Sequence, residues 1–72
     1  MKGNFFYKRL GVRLNSVRCD KCLSQEKLGL ISDIDRTYIA RIESGVANPT
    51  IRVLNKLARA LKVRLSQLLK GV

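Results

Sequence analysis

The sequence predicts an all-α fold of five helices, the second and third joined as a helix-turn-helix. Three observations carry this expectation. Apolar residues recur at i, i+3 and i+4 spacing from Phe6 to Leu69, the period of helices buried along one side. No segment alternates apolar and polar residues over a useful length, as a half-buried strand would. One proline and five glycines in 72 residues leave no room for a linker, a repeat or a low-complexity tract. A single small domain is expected, able to bury one core without much margin.

The elements follow in order. Asn4 is placed to cap a first helix that runs to about Lys21, with Phe6, Leu10, Leu14 and Val17 as its buried stripe. Ser24 can accept a hydrogen bond from a free first-turn N–H of the second helix, with Leu23 and Leu28 as a hydrophobic staple. Asp35 does the same for the third helix, with Ile34 and Ile39 as its staple. The link between them is only Asp33-Ile34-Asp35. Two short capped helices so joined form a unit whose second helix fits a DNA major groove. Thr50 follows Asn48-Pro49, and the proline restricts Asn48 to extended geometry, which separates the loop from a fourth helix. Leu54, Leu57, Ala58 and Leu61 are the core face of that helix. A short fifth helix over residues 66–70 supplies Leu68 and Leu69.

The third helix is the informative one. At about 100° per residue, Ile39, Ile42 and Glu43 share one side, and the isoleucines make it the core side. Thr37, Ala40, Arg41 and Ser44 fall opposite, Tyr38 lies on a flank, and Arg36 projects from the first turn. An arginine at a helix N-terminus faces the positive end of the dipole, a mild local penalty. A plain solvated face is the alternative reading. A capped partner helix and a very basic chain weigh against it.

Fifteen Lys and Arg against five Asp and Glu give a net charge of +10, with no histidine. Such a balance suits a polyanionic partner, either nucleic acid or an anionic surface. All five acids lie between Asp20 and Glu43, so the last 29 residues carry only basic charges. No apolar run is long enough to span a membrane, and the start has no signal-peptide pattern. A cytoplasmic location is expected, with no membrane partner. Catalysis is not expected either: there is no histidine base and no glycine-rich phosphate loop, and the few acids serve as caps or inward partners.

Cys19-Asp20-Lys21-Cys22 is a C-x-x-C. Zinc needs four ligands, and the chain offers no histidine and no further cysteine. A thioredoxin-like role needs an α/β scaffold. The expectation is two ordinary reduced thiols at a helix end, with no metal and no cofactor, and with redox sensing as the alternative.

The run Leu23-Ser24-Gln25, Leu28, Asp35-Arg36-Thr37-Tyr38-Ile39, Arg41-Ile42-Glu43, Gly45, Asn48-Pro49, Leu54, Leu57-Ala58 and Leu61 resembles the lambda/434 repressor and Cro (XRE-type) helix-turn-helix family. Within it, the likeness is to restriction–modification controller proteins and small phage-type repressors. Leu14 and Arg18 extend the match into the first helix. Residues 1–9 then read as an N-terminal extension leading into that helix, and residues 10–70 as the XRE-type domain, a five-helix lambda-repressor-like fold. Two departures stand out. The family favours glycine where this chain has Cys22 and Asp33, and alanine where it has Gly29.

The resemblance implies a homodimeric transcriptional regulator bound to a palindromic double-stranded DNA operator, with contact to RNA polymerase an open element. Arg36, Thr37 and Arg41 would read bases, with Tyr38 and Ser44 in support. Ser24 and Gln25 would hold a phosphate at the second helix N-terminus through backbone N–H groups and the amide. Asn48 and Arg52 would touch phosphates at the far end. Lys56 and Arg59 share a face with Arg52 by spacing. Resemblance also pairs Arg18 with Glu43 as a structural ion pair. A glutamate pointing inward is poorly placed to read a cytosine. Self-association falls on the last two helices, where Val63, Leu65 and Leu69, with Leu68 and Val72, form an apolar surplus. The competing class is a protein-interaction or antitoxin-like subunit on the same fold, to which Phe5 and Tyr7, off the main stripe of the first helix, would add a contact.

Overall fold

The computed structural model describes the backbone of residues 2–72 and the side chains from Phe5 onward. Five helices run in order: α1 Lys2–Asp20, α2 Gln25–Ser32, α3 Arg36–Glu43, α4 Ile51–Ala60 and α5 Leu65–Leu68. Among the described residues there is no strand. α1 packs on α3 and touches α5, α2 packs on α3 and α4, and α4 packs on α5. They enclose one core. Leu14, Leu28, Ile39, Ile42, Leu57, Leu61 and Leu68 are its fully buried large side chains.

Two local expectations are corrected at the N-terminus. The helix already includes Lys2, so Asn4 lies inside α1 and is not its cap, and residues 2–9 are the first turns of α1. Phe6 is 56% exposed, while Leu10, Leu14 and Val17 are buried. The stripe is real from Leu10 on, but the first turns extend past the elements that could cover them. Phe6 instead lies under the Arg9 guanidinium, 5.1 Å from its ring centre, a cation–π contact at the surface. The fifth helix begins one residue earlier than expected and ends at Leu68.

The caps of the inner helices are side chains on orphan backbone donors. Ser24 Oγ accepts from Lys27 N at 3.0 Å, Asp35 Oδ1 from Thr37 N at 3.4 Å, and Thr50 Oγ1 from Val53 N at 3.2 Å. The C-termini of the first four helices share another device. Leu23 N donates to Arg18 O, Ile34 N to Gly29 O, Val46 N to Arg41 O and Val63 N to Ala58 O. Each is the six-to-one bond of a Schellman closure, and the residue before each donor is left-handed. Those residues are Cys22, Asp33, Gly45 and Lys62, with φ of 59°, 61°, 83° and 59°. Only one is glycine. The three others each carry a backbone cost of roughly 1 kcal/mol, which the recovered carbonyl bonds and packing must offset.

Two close approaches set the angle between helices. A Cβ on Gly11 of α1 would lie 2.4 Å from Ile42 O and 2.7 Å from Glu43 O, so α1 seats its backbone directly on the end of α3. A Cβ on Gly29 would lie 2.9 Å from Ile34 O, which explains glycine there in spite of its low helix propensity. Two residues after Gly11, Arg13 donates to Gln67 O from both Nε and Nη2, at 3.0 and 2.7 Å. Arg9 Nε donates to Val72 O at 3.0 Å. The two arginines tie down the carbonyls at the end of the chain, where a positive charge is favourable.

Candidate nucleic-acid interface

The site is built from the exposed side of α3 and the N-termini around it. Burial of Ile39 and Ile42, both fully covered, fixes the roll of α3 about its axis. Arg36, Thr37, Arg41 and Ser44 are thereby exposed, and Tyr38 is half-buried against the core. Among the described residues the acidic groups give one ion pair, Arg18–Glu43. Arg36 and Arg41 are left with no acidic partner there. The Ser44 hydroxyl donates to Arg41 O at 3.0 Å, so toward an outside group it can act only as an acceptor. Asn48 and Arg52, on either side of Pro49 and the α4 N-terminus, are exposed.

Behind this surface lies a polar cluster that holds α3 in place. Arg18 Nε donates to Glu43 Oε2 at 2.7 Å and its Nη2 to Oε1 at 3.0 Å, a bidentate pair. Arg18 Nη1 donates to Leu23 O at 2.6 Å. Glu43 Oε1 also accepts from Asn15 Nδ2 at 2.9 Å and Gln25 Nε2 at 3.0 Å. The pair is nearly dry, with side chains 12% and 5% exposed. Burial alone pushes the Glu43 carboxyl up. The hydrogen bonds from Arg18, Asn15 and Gln25, with the Arg18 charge, outweigh it and hold the group below the usual carboxylate range. Arg18 is raised in turn, chiefly by its bond to Glu43. One carboxylate thus collects α1, the start of α2 and the end of α3.

Gln25 opens α2, as expected, and its side chain also reaches inward to the cluster. One N–H of its amide donates to Glu43 Oε1 at 3.0 Å, and the second amide N–H, Oε1 and the backbone N–H remain. A phosphate at this end of α2 would meet backbone N–H groups and the remaining amide N–H. Asn15 was not legible as a participant. The signal was present in its i, i+3 relation to Arg18, which puts both on one face of α1. Ser24 is exposed and spends its hydroxyl oxygen on Lys27 N.

At the C-terminal end, Val63, Leu65, Leu69 and Val72 are half-buried and pack against the core, whereas Leu68 is completely covered. The apolar surplus expected there is therefore partly absorbed by the monomer. The largest exposed apolar side chains lie elsewhere, Leu30 at 75% and Val12 and Phe5 at 68%. Cys19 and Cys22 are free and exposed, and among the described residues no cluster of metal-binding side chains occurs.

A short capped helix, a turn, and a second helix presenting unpaired arginines define a helix-turn-helix DNA-binding protein. The chain belongs to the helix-turn-helix family of transcription regulators, of the XRE type, whose family model matches residues 14–68. It is 37% identical over 65 residues to the control protein C.MunI of Mycoplasma sp., covering 89% of this chain and 88% of that one. It is 38% identical over 60 residues to the control protein C.BamHI of Bacillus amyloliquefaciens, covering 82% and 74%. Its fold superposes on the restriction-modification controller protein C.AhdI of Aeromonas hydrophila with a TM-score of 0.90. That match has 34% identity and covers 94% of this chain and 99% of the other.

Proposed function

We propose that this protein is a dimeric, sequence-specific operator-binding regulator that controls a restriction–modification locus from the cytoplasm. The observation that carries the reading is the exposed face of α3, where Arg36, Thr37 and Arg41 stand free above a helix clamped from behind by Glu43. Arginine supplies a fork that pairs with guanine N7 and O6, and Thr37 can reach either bases or a phosphate. Tyr38 and Ser44 flank these contacts. Ser24 and Gln25 bring the free N–H groups of α2 to one phosphate, and Asn48 and Arg52 reach another. Regulation is by occupancy, through blocking or recruiting RNA polymerase. The similarity to control proteins supports the assignment to restriction–modification.

Two copies are needed because one α3 covers too few base pairs for a useful specificity ratio. Val63, Leu65 and Leu69, half-buried at one end of the bundle, are the surface for pairing. Their residual apolar area and the two-fold geometry of the class support that position. A two-fold dimer sets its recognition helices about 34 Å apart and calls for half-sites about 10 base pairs between centres. The test is selection of bound sites from a random DNA pool, followed by sedimentation. The expected product is a palindrome bound by two chains. Leu65→Lys with Leu69→Lys should give a folded monomer, checked by circular dichroism, whose operator affinity collapses. A selected site without two-fold symmetry would refute the dimeric reading, and so would a folded Lys variant that still sediments as a dimer.

A further inference from the structure

Two adjoining cavities, about 310 and 250 Å3, open where the C-terminal half of α2 meets that of α4. Ile31 and Ala60 line both, so together they form one groove, and Leu23 continues its apolar floor. Ile31 remains 50% exposed, and the neighbouring Leu30 is 75% exposed. The rim is made of Lys56 and Arg59 on one side and Lys21 and Lys62 on the other, and no acidic residue lines either cavity. An apolar floor within a ring of four cations is a recognition pattern in itself.

We propose that this groove docks an acidic segment of another protein, with an apolar anchor seated between Ile31 and Ala60 and carboxylates on the rim cations. The charges select the occupant. A second copy is already placed at the α5 end of the bundle in the proposed dimer, and the last 29 residues of this chain carry no acid to set against these cations. DNA would satisfy the rim but leave the apolar floor without a complement. A membrane surface calls for a broad apolar face, whereas the apolar lining here is confined to Leu23, Ile31, Ala60 and Leu61 between charged rims. An acidic peptide with one or two large apolar residues fills both parts of the pattern, the helix-in-groove or extended-anchor mode of peptide recognition. The groove uses the C-terminal half of α2 and no residue of α3. A docked segment therefore leaves Arg36, Thr37 and Arg41 uncovered, so protein docking and DNA binding can coexist on one molecule.

The test uses the full chain, isotope-labelled, and three probes. These are a synthetic glutamate-rich peptide with a Leu-Phe pair at its centre, an all-glutamate peptide of equal charge, and phosphatidylglycerol vesicles. The expected result is saturable amide shifts centred on Ile31 and Ala60 with the first probe. The second should bind at least about tenfold more weakly, for want of an anchor. Lys56→Gln with Arg59→Gln should weaken the first peptide by about tenfold or more, since two desolvated charge pairs are lost. Ile31→Ser should remove the preference for the Leu-Phe peptide while operator affinity stays unchanged. All three positions are exposed or half-exposed, so the variants retain the fold, checked by their thermal unfolding. The proposal is overturned if no peptide binds, if the shifts centre on α3, or if both peptides bind equally. It is also overturned if vesicles compete better than the Leu-Phe peptide, or if the groove variants change the sedimenting mass, which would make a second copy the occupant.

Discussion

Removing the carboxylate of Glu43 should cost far more than its position on a short surface helix suggests. Glu43 accepts two bonds from Arg18 and one each from Asn15 and Gln25. Glu43→Leu strands Arg18, which is only 12% exposed and keeps a single bond to Leu23 O. Breaking a buried pair from one side typically costs about 3–5 kcal/mol. The surviving carbonyl bond and the access of water to Asn15 place this case near about 3 kcal/mol. A domain of this size holds only about 4–10 kcal/mol in total, so a third or more of the stability is at stake. At roughly 4 °C or more per kcal/mol, the melting temperature should fall by about 12 °C or more. Arg18→Met should do comparable harm by leaving the carboxylate unpaired. In the double variant both charges are gone and much of the loss should return. The assay is urea unfolding of all four proteins, with the coupling energy taken from the cycle. Strict additivity of the two single losses would refute the argument, since it would mean that each charge is stabilised by something other than the other.

Lowering the pH titrates the same group. The folded pKa of Glu43 is depressed, so its contribution is fully present above the ordinary carboxylate range and is lost as pH falls through the lower folded value. Urea midpoints should be level near neutrality and drop below about pH 4, and Glu43→Gln should flatten that drop. Gly11→Ala should destabilise by about 3 kcal/mol or more, because its Cβ meets two α3 carbonyl groups that cannot yield; a change under about 0.5 kcal/mol would show that α1 can shift freely. Arg41→Ala should cost about 1–3 kcal/mol against the matched operator and relax one or two base preferences, whereas an equal loss on matched and mismatched DNA would make it a phosphate contact. Cys19→Ser with Cys22→Ser should leave operator affinity within about twofold and the purified protein free of stoichiometric zinc. One zinc per dimer by metal analysis would contradict this.

The sequence by itself determined the all-α class, the turn between α2 and α3, and the side of α3 that faces out. These are local or one-dimensional properties. A cap needs only its own first turn, and the roll of a helix follows from where Ile39 and Ile42 fall in its period. The left-handed closures at Cys22 and Asp33 were visible as departures at turn positions, and both adopt the strained conformation. The tertiary structure decided what depends on two elements meeting. Nothing in the periodicity of α1 marks Gly11, whereas in the fold α1 rests there on the carbonyls of Ile42 and Glu43. Gln25 is expected at a phosphate, and the fold adds a bond from its amide to Glu43 that its place at the start of α2 does not reveal. Arg9 and Arg13 hold carbonyls 63 and 54 positions away in the chain, contacts that no local pattern encodes. Phe6 fitted the α1 stripe by period but lies exposed. Periodicity records which face of a helix is apolar and says nothing about how far the neighbouring elements extend to cover it.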